Sequence, residues 1–360
     1  MSFSNKLNLM APINQLGYGV AGLNILKALQ EEGVETSLFT IGQPQVTNQE
    51  DADAVRRGLE TAQFFDSTAP CIKIWHQNQM AEFIGGGIHI GFPIFELDTF
   101  SEVEKHHLQS CDRLFLCSEW AKKVCEDNGL YKAKSVIPLG VDSNIFKPAP
   151  WKPLNVFADD DNKTIFFNCG KWEIRKGHDI LIKAFEMVLN HGDDAELWMM
   201  CTNPFNSPEE EANWKQLYSH PRIKLIPRAE TQEEVYNIMT QVDCGVFPSR
   251  AEGWNLELLE MMATGKHVIA TDYSAHTEFC TKENSGLVPI KDTEPAFDGK
   301  WFFGQGNWAK ISDHEVFDLS MKMQNFILNK RGTANEAGIE TAKQFSWSNT
   351  AREILKDVNK

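Results

Sequence analysis

The 360-residue sequence holds no apolar run approaching the roughly 20 residues that a membrane-spanning helix needs. Its opening, "MSFSNKLNLMAPINQ", lacks the basic segment and apolar core of a secretory signal. The expectation is a soluble, cytoplasmic protein with at most peripheral membrane contact. No C-x-x-C pair occurs among the eight cysteines. Disulfides or a zinc site stay open, but most of the eight sit in apolar runs, as buried cytosolic thiols do. Positive charge is scarce: 35 Lys and Arg against 50 Asp and Glu give a formal net charge of −15. That balance disfavours a general binder of nucleic acid or anionic membrane and leaves room only for a local basic groove. "DADAV" and "DDDNK" lie in polar stretches, so no D-x-D pair stands in the setting of a metal site. No metal and no cofactor are expected. There is no short repeat and no low-complexity tract.

What is present points to a large folded chain. Apolar residues make up 42% and aromatics 11%, enough for a sizeable core, and the length favours two domains. Short apolar runs alternate with stretches of helical period. "KLNLMAP", "ETSLFTIG", "CIKIWH", "IHIGFPI" and "RLFLCS" read as strands, and "SVIPLGVD" as a strand running into a Pro/Gly loop. "GYGVAGLNILKALQEEG" reads as a helix with Val20, Leu23, Leu26 and Leu29 on its apolar stripe, and "SEWAKKVCEDNG" as a helix capped by Ser118 and stopped at Gly129. The proline-rich and acidic segment "KPAPWKPLNVFADDDNK" breaks the series and reads as a linker. A second series follows: "TIFFNCG", "AELWMMC", "IKLIP", "CGVFPS", "KHVIATD" and "GLVPI" as strands, with helices between several of them. In the helix "GHDILIKAFEMVLNHG", Ile180, Leu181, Ala184, Phe185, Val188 and Leu189 share one stripe. Alternation of this kind implies right-handed crossovers and parallel sheets. The expected fold class is α/β, two doubly wound, Rossmann-like domains facing a central cleft. Their bounds are 1–148 and 164–345, with a linker at 149–163 and a last helix at 346–360. Ligands in such sheets bind beyond the carboxyl ends of the strands.

The stretch "PSRAEGWNLELLEMMATGKHVIATD" (248–272) places Glu252 at a helix start, Glu257 in the first turn and Glu260 two turns on. Eight residues of helix separate Glu252 and Glu260 by roughly 12 Å along the axis and turn them about 80° apart. They cannot act as a dyad on one bond. They can grip two ends of an extended ligand, with a phosphate at the helix N-terminus between them, which is the layout of a nucleotide sugar. The plainer reading has Glu252 favouring the helix dipole and Glu260 on a solvated face. In "NCGKWEIRKGHDILIKAF", Lys171, Arg175 and Lys176 occupy a strand-to-helix loop, where cations can bind a diphosphate and stabilise its departure; solvated surface cations are the plainer alternative. Gly17 and Gly19 lie between the first strand and first helix, where backbone can approach a phosphate or sugar, or where a tight turn is needed.

Together these pieces resemble glycosyltransferase family 4, retaining enzymes of GT-B architecture, over nearly the whole chain. "VFPSRAEGWNLELLEMMATGKHVIATD" resembles the family's Glu-x7-Glu segment and "GKWEIRKGHDILIKAF" its diphosphate loop and following helix. "VIPLGVDSNIF" resembles the close of the first domain and "FSWSNTAREIL" the last helix, which implies that 346–360 packs back on the first domain. The resemblance implies that Glu252 holds donor-sugar hydroxyls, Glu260 the ribose hydroxyls, and Lys171 and Lys176 the diphosphate. Lys171 stands where the family has arginine, so the bidentate fork is lost. The family's Gly-Phe-Gly-Leu-Pro is Gly253-Trp254-Asn255-Leu256-Glu257 here, in the loop that borders the donor sugar. The donor is expected to be a UDP-, GDP- or ADP-sugar, and the acceptor a carbohydrate or other hydroxyl compound; nucleic acid is the least favoured.

The first domain is expected to hold the acceptor. His76 follows a strand end in "KIWHQNQ", and Glu96 and Asp98 follow another in "GFPIFELDTF". Each has a plain alternative: a satisfied core histidine, and capping or salt-bridged carboxylates. His276 and Glu278 in "DYSAHTEF" either touch a ligand or cap. Asp313 is expected to cap a helix, with Trp308 in a glycine-rich loop. Two rivals stay open. One is a non-catalytic nucleotide-sugar binder. The other is a transferase with an unusual acceptor, such as a hydroxylated DNA base. Sugar-nucleotide epimerases share the architecture, but the Glu-x7-Glu segment argues against them.

Overall fold

A computed structural model describes residues 5–149 and 163–360. The chain forms two compact units, Met1–Asp142 with Gln344–Lys360, and Ser143–Lys343. The division thus falls at 142/143, ahead of the expected boundary at 148. Nearly all of the expected linker lies outside the described residues.

The first unit contains β1 (Lys6–Ala11), α1 (Gly17–Glu31), β2 (Glu35–Thr40), α2 (Gln49–Ala62), β3 (Cys71–Trp75), β4 (His89–Pro93), α3 (Glu102–Gln109), β5 (Arg113–Leu116), α4 (Glu119–Asp127) and β6 (Ala133–Val136). Its strands make one parallel sheet in the order β2-β1-β3-β4-β5-β6. Covered strands of this kind carry near-continuous apolar runs, and Leu7, Leu9, Ile72, Ile74, Ile90 and Phe92 are all buried. Ser118 caps α4 by accepting the Ala121 N–H, and Gly129 follows its end at φ +75°. In α1, Leu26 and Leu29 reach the core as expected, but Val20 and Leu23 are only half-buried. Ala21, Gly22, Ile25 and Ala28 take the inner face instead. The small residues decide this: a Cβ on Gly22 would fall 2.4 Å from the Pro12 carbonyl oxygen, so the helix is turned to lay its glycines on the chain after β1.

The second unit contains β7 (Thr164–Gly170), α5 (His178–His191), β8 (Ala195–Cys201), α6 (Pro208–Leu217), β9 (Ile223–Leu225), α7 (Gln232–Gln241), β10 (Cys244–Phe247), α8 (Leu256–Ala263), β11 (His267–Asp272), β12 (Gly286–Pro289), β13 (Thr293–Phe297), β14 (Phe303–Ala309), α9 (Asp313–Asn329) and α10 (Glu336–Gln344). A second parallel sheet runs β12-β11-β10-β7-β8-β9. Its core joins Ile180, Leu181, Ala184, Phe185 and Val188 of α5 to Val316, Leu319 and Met323 of α9. The last helix, α11 (Trp347–Val358), belongs to the first unit. Arg113 bonds the Asp357 carbonyl and carboxylate at 2.8 and 3.1 Å, and Ser135 reaches the same carboxylate at 2.5 Å.

Two local expectations are corrected. "GQGNWAK" is not a loop but strand β14, paired antiparallel with β13, and Trp308 is buried in it. Glycine content suggested a loop, but the register Glu294↔Trp308 and Thr293↔Ala309 anchors the ladder. The cap of α9 is Ser312, in a reciprocal box with Glu315; Asp313 is the first helical residue. β6 ends at Val136 and "PLGVD" lies past it, in agreement with a strand that runs into a Pro/Gly loop. All eight cysteines are buried and unpaired. Among the described residues, no helix is long and apolar enough to cross a membrane.

Candidate active site

A doubly wound parallel sheet offers its ligand crevice where the strand order reverses. In the second unit, β7 leads to β8 and β9 on one side, while β10, β11 and β12 fill the other. The reversal lies between β7 and β10. The loop after β7 carries Lys171, Glu173, Arg175 and Lys176, and the loop after β10 carries Ser249 and Glu252. Gly177 brings the two together. It holds φ +73°, and a Cβ there would lie 2.1 Å from the Pro248 carbonyl oxygen, so only glycine lets the loops approach this closely.

The side chains form a chain of alternating charge. Lys171 pairs with Glu173 at 2.6 Å and Glu173 with Arg175 at 2.7 Å. Arg175 and Lys176 each reach the Glu252 carboxylate at 2.8 Å, on opposite oxygens. Ser249 donates to the Lys176-bound oxygen at 2.7 Å, and Arg175 also bonds the Ala251 carbonyl at 2.8 Å. Three cations against two carboxylates leave one positive charge. Glu173, Arg175, Lys176 and Glu252 are buried, and Lys171 alone is partly open, its ammonium 5.7 Å from the Phe205 ring centre. Arg175 and Lys176 are therefore not the solvated cations of the plainer alternative, and Glu252 is a buried, paired carboxylate. Arg175, expected among the donor contacts, has its guanidinium bonded to Glu173, Glu252 and the Ala251 carbonyl. Glu173 and Ser249 escaped the sequence reading. The alternating signs of "KWEIRK" were the available signal for Glu173.

Electrostatics follow from this packing. Burial alone would raise the Glu252 carboxyl, but Lys176 and then Arg175 outweigh it and hold the group well below the usual carboxylate range. Burial would likewise lower Lys176, yet Glu252 and Glu257 keep it above its ordinary value. Glu260 differs. It is buried on α8, none of the described residues hydrogen-bonds its carboxyl, and burial, with Glu257 adding to it, pushes it well above 4.5. The expected solvated face for Glu260 is thus corrected, and in the unliganded protein the carboxyl is biased toward its neutral form. His178, fully buried at the start of α5, is pushed down to about 3 by burial and then by Lys176.

The rest of the Glu252 loop is built inward. Trp254 is buried with its ring 4.9 Å from Phe279, Leu256 is buried, and Gly253 is buried beside them. Trp254 and Leu256 therefore shape the loop rather than present side chains. Asn255 caps α8 from a left-handed conformation, accepting the Leu258 N–H at 3.2 Å. His276 is fully buried and bonded to Asn255 at 2.9 Å, which corrects its reading as a ligand contact; Glu278 is half-buried.

In the first unit the order reverses between β1 and β3. Gly17 and Gly19, expected in a loop, instead open α1. A Cβ on Gly19 would fall 2.3 Å from Asn14, so that glycine is required by close packing, while Gly17 faces open space. His76 follows β3 and is exposed, not a core histidine. Its ring centre is 4.6 Å from that of Tyr18 and 5.0 Å from that of Trp75. The Tyr18 hydroxyl donates to the Ile94 carbonyl and lies 3.2 Å from His76 Nδ1. Glu96 and Asp98, past β4, are half-buried, and Thr99 donates to Asp98 at 3.0 Å.

Comparison with known proteins agrees with this geometry. Residues 163–299 match the family described as Glycosyl transferases group 1. An uncharacterized glycosyltransferase of Methanocaldococcus jannaschii is 27% identical over 254 residues, 70% of this chain and 60% of that relative's length. Among solved structures, sucrose-phosphate synthase from Thermosynechococcus elongatus superposes with a TM-score of 0.71 at 15% identity, covering 98% of each chain. Anabaena HepE, solved with UDP and glucose, gives 0.69 at 14% identity over 99% of each. The chain therefore has the GT-B fold, two Rossmann-like units, and its residues 163–299 resemble the group 1 glycosyl transferases.

Proposed function

We propose that the protein is a retaining, metal-independent glycosyltransferase of the family 4 type. It moves a hexose from a nucleotide-diphosphate sugar to a hydroxyl of a glycan or glycolipid precursor in the cytoplasm. The carrying observation is the buried Glu252 anion, clamped by Lys176 and Arg175 at the reversal point of the second sheet. An ammonium has three donors, and Lys176 spends one on Glu252. The others, with Lys171 and the N-terminus of α5, supply positive charge for a departing diphosphate. Glu252 keeps lone-pair capacity for a donor-sugar hydroxyl, and Glu260 serves the ribose. The bond from the anomeric carbon to the diphosphate oxygen breaks as the acceptor oxygen bonds that carbon from the same face. The acceptor's proton passes to the departing phosphate. His76, Glu96 and Asp98 serve the acceptor. Because HepE was solved with UDP and glucose, a UDP-hexose is the first donor to test, ahead of GDP- and ADP-sugars.

The test measures transfer and donor hydrolysis with UDP-glucose, GDP-mannose and ADP-glucose, and the anomeric configuration of the product by NMR. Activity should survive EDTA and give retained configuration. Inverted product, or activity lost in chelator and restored by Mn²⁺, would overturn the mechanism. Lys171→Ala should weaken binding of the bare nucleoside diphosphate by about 1.5–3 kcal/mol, the worth of a charged hydrogen bond. Glu252→Gln should leave that affinity intact or raise it, since Lys176 loses its competing partner, while transfer falls strongly. One observation keeps a non-catalytic binder in view: Glu252 is already bonded to three side chains. Donor binding without hydrolysis or transfer to any acceptor would favour that reading.

A further inference from the structure

Two residues other than glycine have positive φ among the described residues, Asn255 at 84° and Ser274 at 52°. Left-handed backbone is disfavoured for residues with a Cβ and persists where the surroundings over-determine it. Both outliers flank Glu252. The Ser274 hydroxyl accepts the Glu252 N–H at 2.8 Å, and the next residue, Ala275, donates its N–H to the Glu252 carbonyl at 3.2 Å. Both backbone groups of Glu252 are thus held by the segment Ser274–Glu278.

His276 locks that segment to the other outlier. Its Nδ1 lies 3.0 Å from the Thr271 carbonyl oxygen, which can only accept, so Nδ1 carries the proton. Nε2 is then an acceptor and takes the Asn255 amide N–H at 2.9 Å. That orients the Asn255 amide, whose oxygen faces the Leu258 N–H. The Thr271 hydroxyl extends the lock to the β10 loop by donating to the Ser249 carbonyl at 2.6 Å. Every member is buried: Asn255 is 6% exposed and His276 0%. A neutral His276 with this tautomer fits the site. A doubly protonated ring would point a second N–H at the Asn255 amide donor.

We propose that Asn255 and His276 form a latch that positions Glu252, holding its loop in a strained conformation so that the carboxylate meets Lys176 and Arg175. Neither touches the reacting atoms; both are positioning residues. The consequence for donor recognition rests on the reading of Glu252 as the grip on the donor sugar. The existence of the latch does not.

The test is hydrogen–deuterium exchange of the unliganded full chain, read on peptides spanning 249–259. His276→Leu removes the acceptor. Exchange there should rise at least about tenfold while peptides from α5 and β8 stay protected. His276→Gln, which can donate to Thr271 through its amide nitrogen and accept from Asn255 through its oxygen, should restore most of the protection. Asn255→Gly keeps the backbone conformation without the amide. It should also raise exchange, and it serves if His276→Leu does not fold. Unchanged exchange in His276→Leu, or in Asn255→Gly, overturns the latch. A second arm compares UDP-glucose with UDP, and GDP-mannose with GDP. Breaking the latch should reduce the preference for the sugar-bearing ligand while affinity for the bare diphosphate stays within about twofold, because Lys171 lies outside the network. If wild-type protein binds none of these, the donor reading fails, and the exchange arm still decides the latch. If sugar-bearing and bare ligands weaken equally in His276→Leu, the positioning role is wrong.

Discussion

Each unit is built on a six-stranded parallel sheet, ordered β2-β1-β3-β4-β5-β6 in the first and β12-β11-β10-β7-β8-β9 in the second, and the two differ in what stands where the order reverses. In the second unit the crevice loops bring five charges into one chain, four of them on buried residues, and Glu252 is bonded by Ser249, Arg175 and Lys176. In the first unit the equivalent place holds Tyr18, Trp75 and an exposed His76, ring against ring. The difference follows from dielectric. A buried charge must be paired to stay charged, so the second site is held as a network of paired ions. An aromatic, solvent-facing surface pays no such desolvation penalty and can meet a neutral, hydroxylated compound. Topology supplies the place in both units; side-chain burial sets the task.

The largest expected contrast is in stability. Glu252→Ala leaves Lys176 and Arg175 buried without their shared partner and should cost about 3–5 kcal/mol. His76→Ala, at an exposed position, should stay within about 0.5 kcal/mol. Urea melts of the two variants decide it; equal losses would erase the distinction between a buried ionic site and an open aromatic one.

Acid should act on the second unit through His178. Its folded value near 3 lies below the ordinary 6.5. The unfolded chain binds a proton below pH 6.5 that the folded chain refuses until about pH 3, so stability is full above 6.5 and falls as pH drops through that window. The loss should reach about 2–4 kcal/mol by pH 4, at roughly 1.4 kcal/mol per unit. Calorimetric melts from pH 8 to 4 should show it in wild type and a flatter profile in His178→Gln. The same slope in both proteins would assign the effect elsewhere.

The smallest effect sharpens the ionic site itself. Glu260 has its carboxyl raised by burial, so its favourable contribution is complete below the unfolded value of 4.5 and is lost as pH rises toward the folded one. Glu260→Gln keeps the shape of the neutral acid and removes the cost of ionising it. It should raise stability at pH 8, with little change at pH 4. Thermal melts at the two pH values check this, and a destabilised Glu260→Gln at pH 8 would show that the carboxylate is paired after all.

Much of this was legible in the sequence. Alternating runs such as "TIFFNCG" and "GHDILIKAFEMVLNHG" announce covered parallel strands and amphipathic helices because burial on two faces, or on one stripe, leaves a period in the chain. Caps such as Ser118 are legible for a similar reason: the interaction is local. The hairpin β13–β14 was hidden because Gly304 and Gly306 mimic a loop, and only the pairing with residues before Phe297 makes them strand. Lys171, Lys176, Glu252 and Glu260 could be singled out by spacing and resemblance. Their states could not. Arg175 looked like a surface cation and is buried against two carboxylates, and Trp254 looked like part of a ligand-facing loop and packs on Phe279.

What the sequence by itself determined is therefore the local and the periodic: two α/β series, their helix ends, and a set of charged residues on strand-to-helix loops. Tertiary structure alone decided which loops meet, and through that the charge state of each group. Residues 76 positions apart in the chain, such as Lys176 and Glu252, become a 2.8 Å pair only because β7 and β10 are neighbours in the sheet and Gly177 admits the Pro248 carbonyl. The physical reason is range. Hydrogen-bond periodicity and capping act within a few residues and leave their mark in the sequence, whereas desolvation and Coulomb energy depend on distances in space that no local pattern encodes.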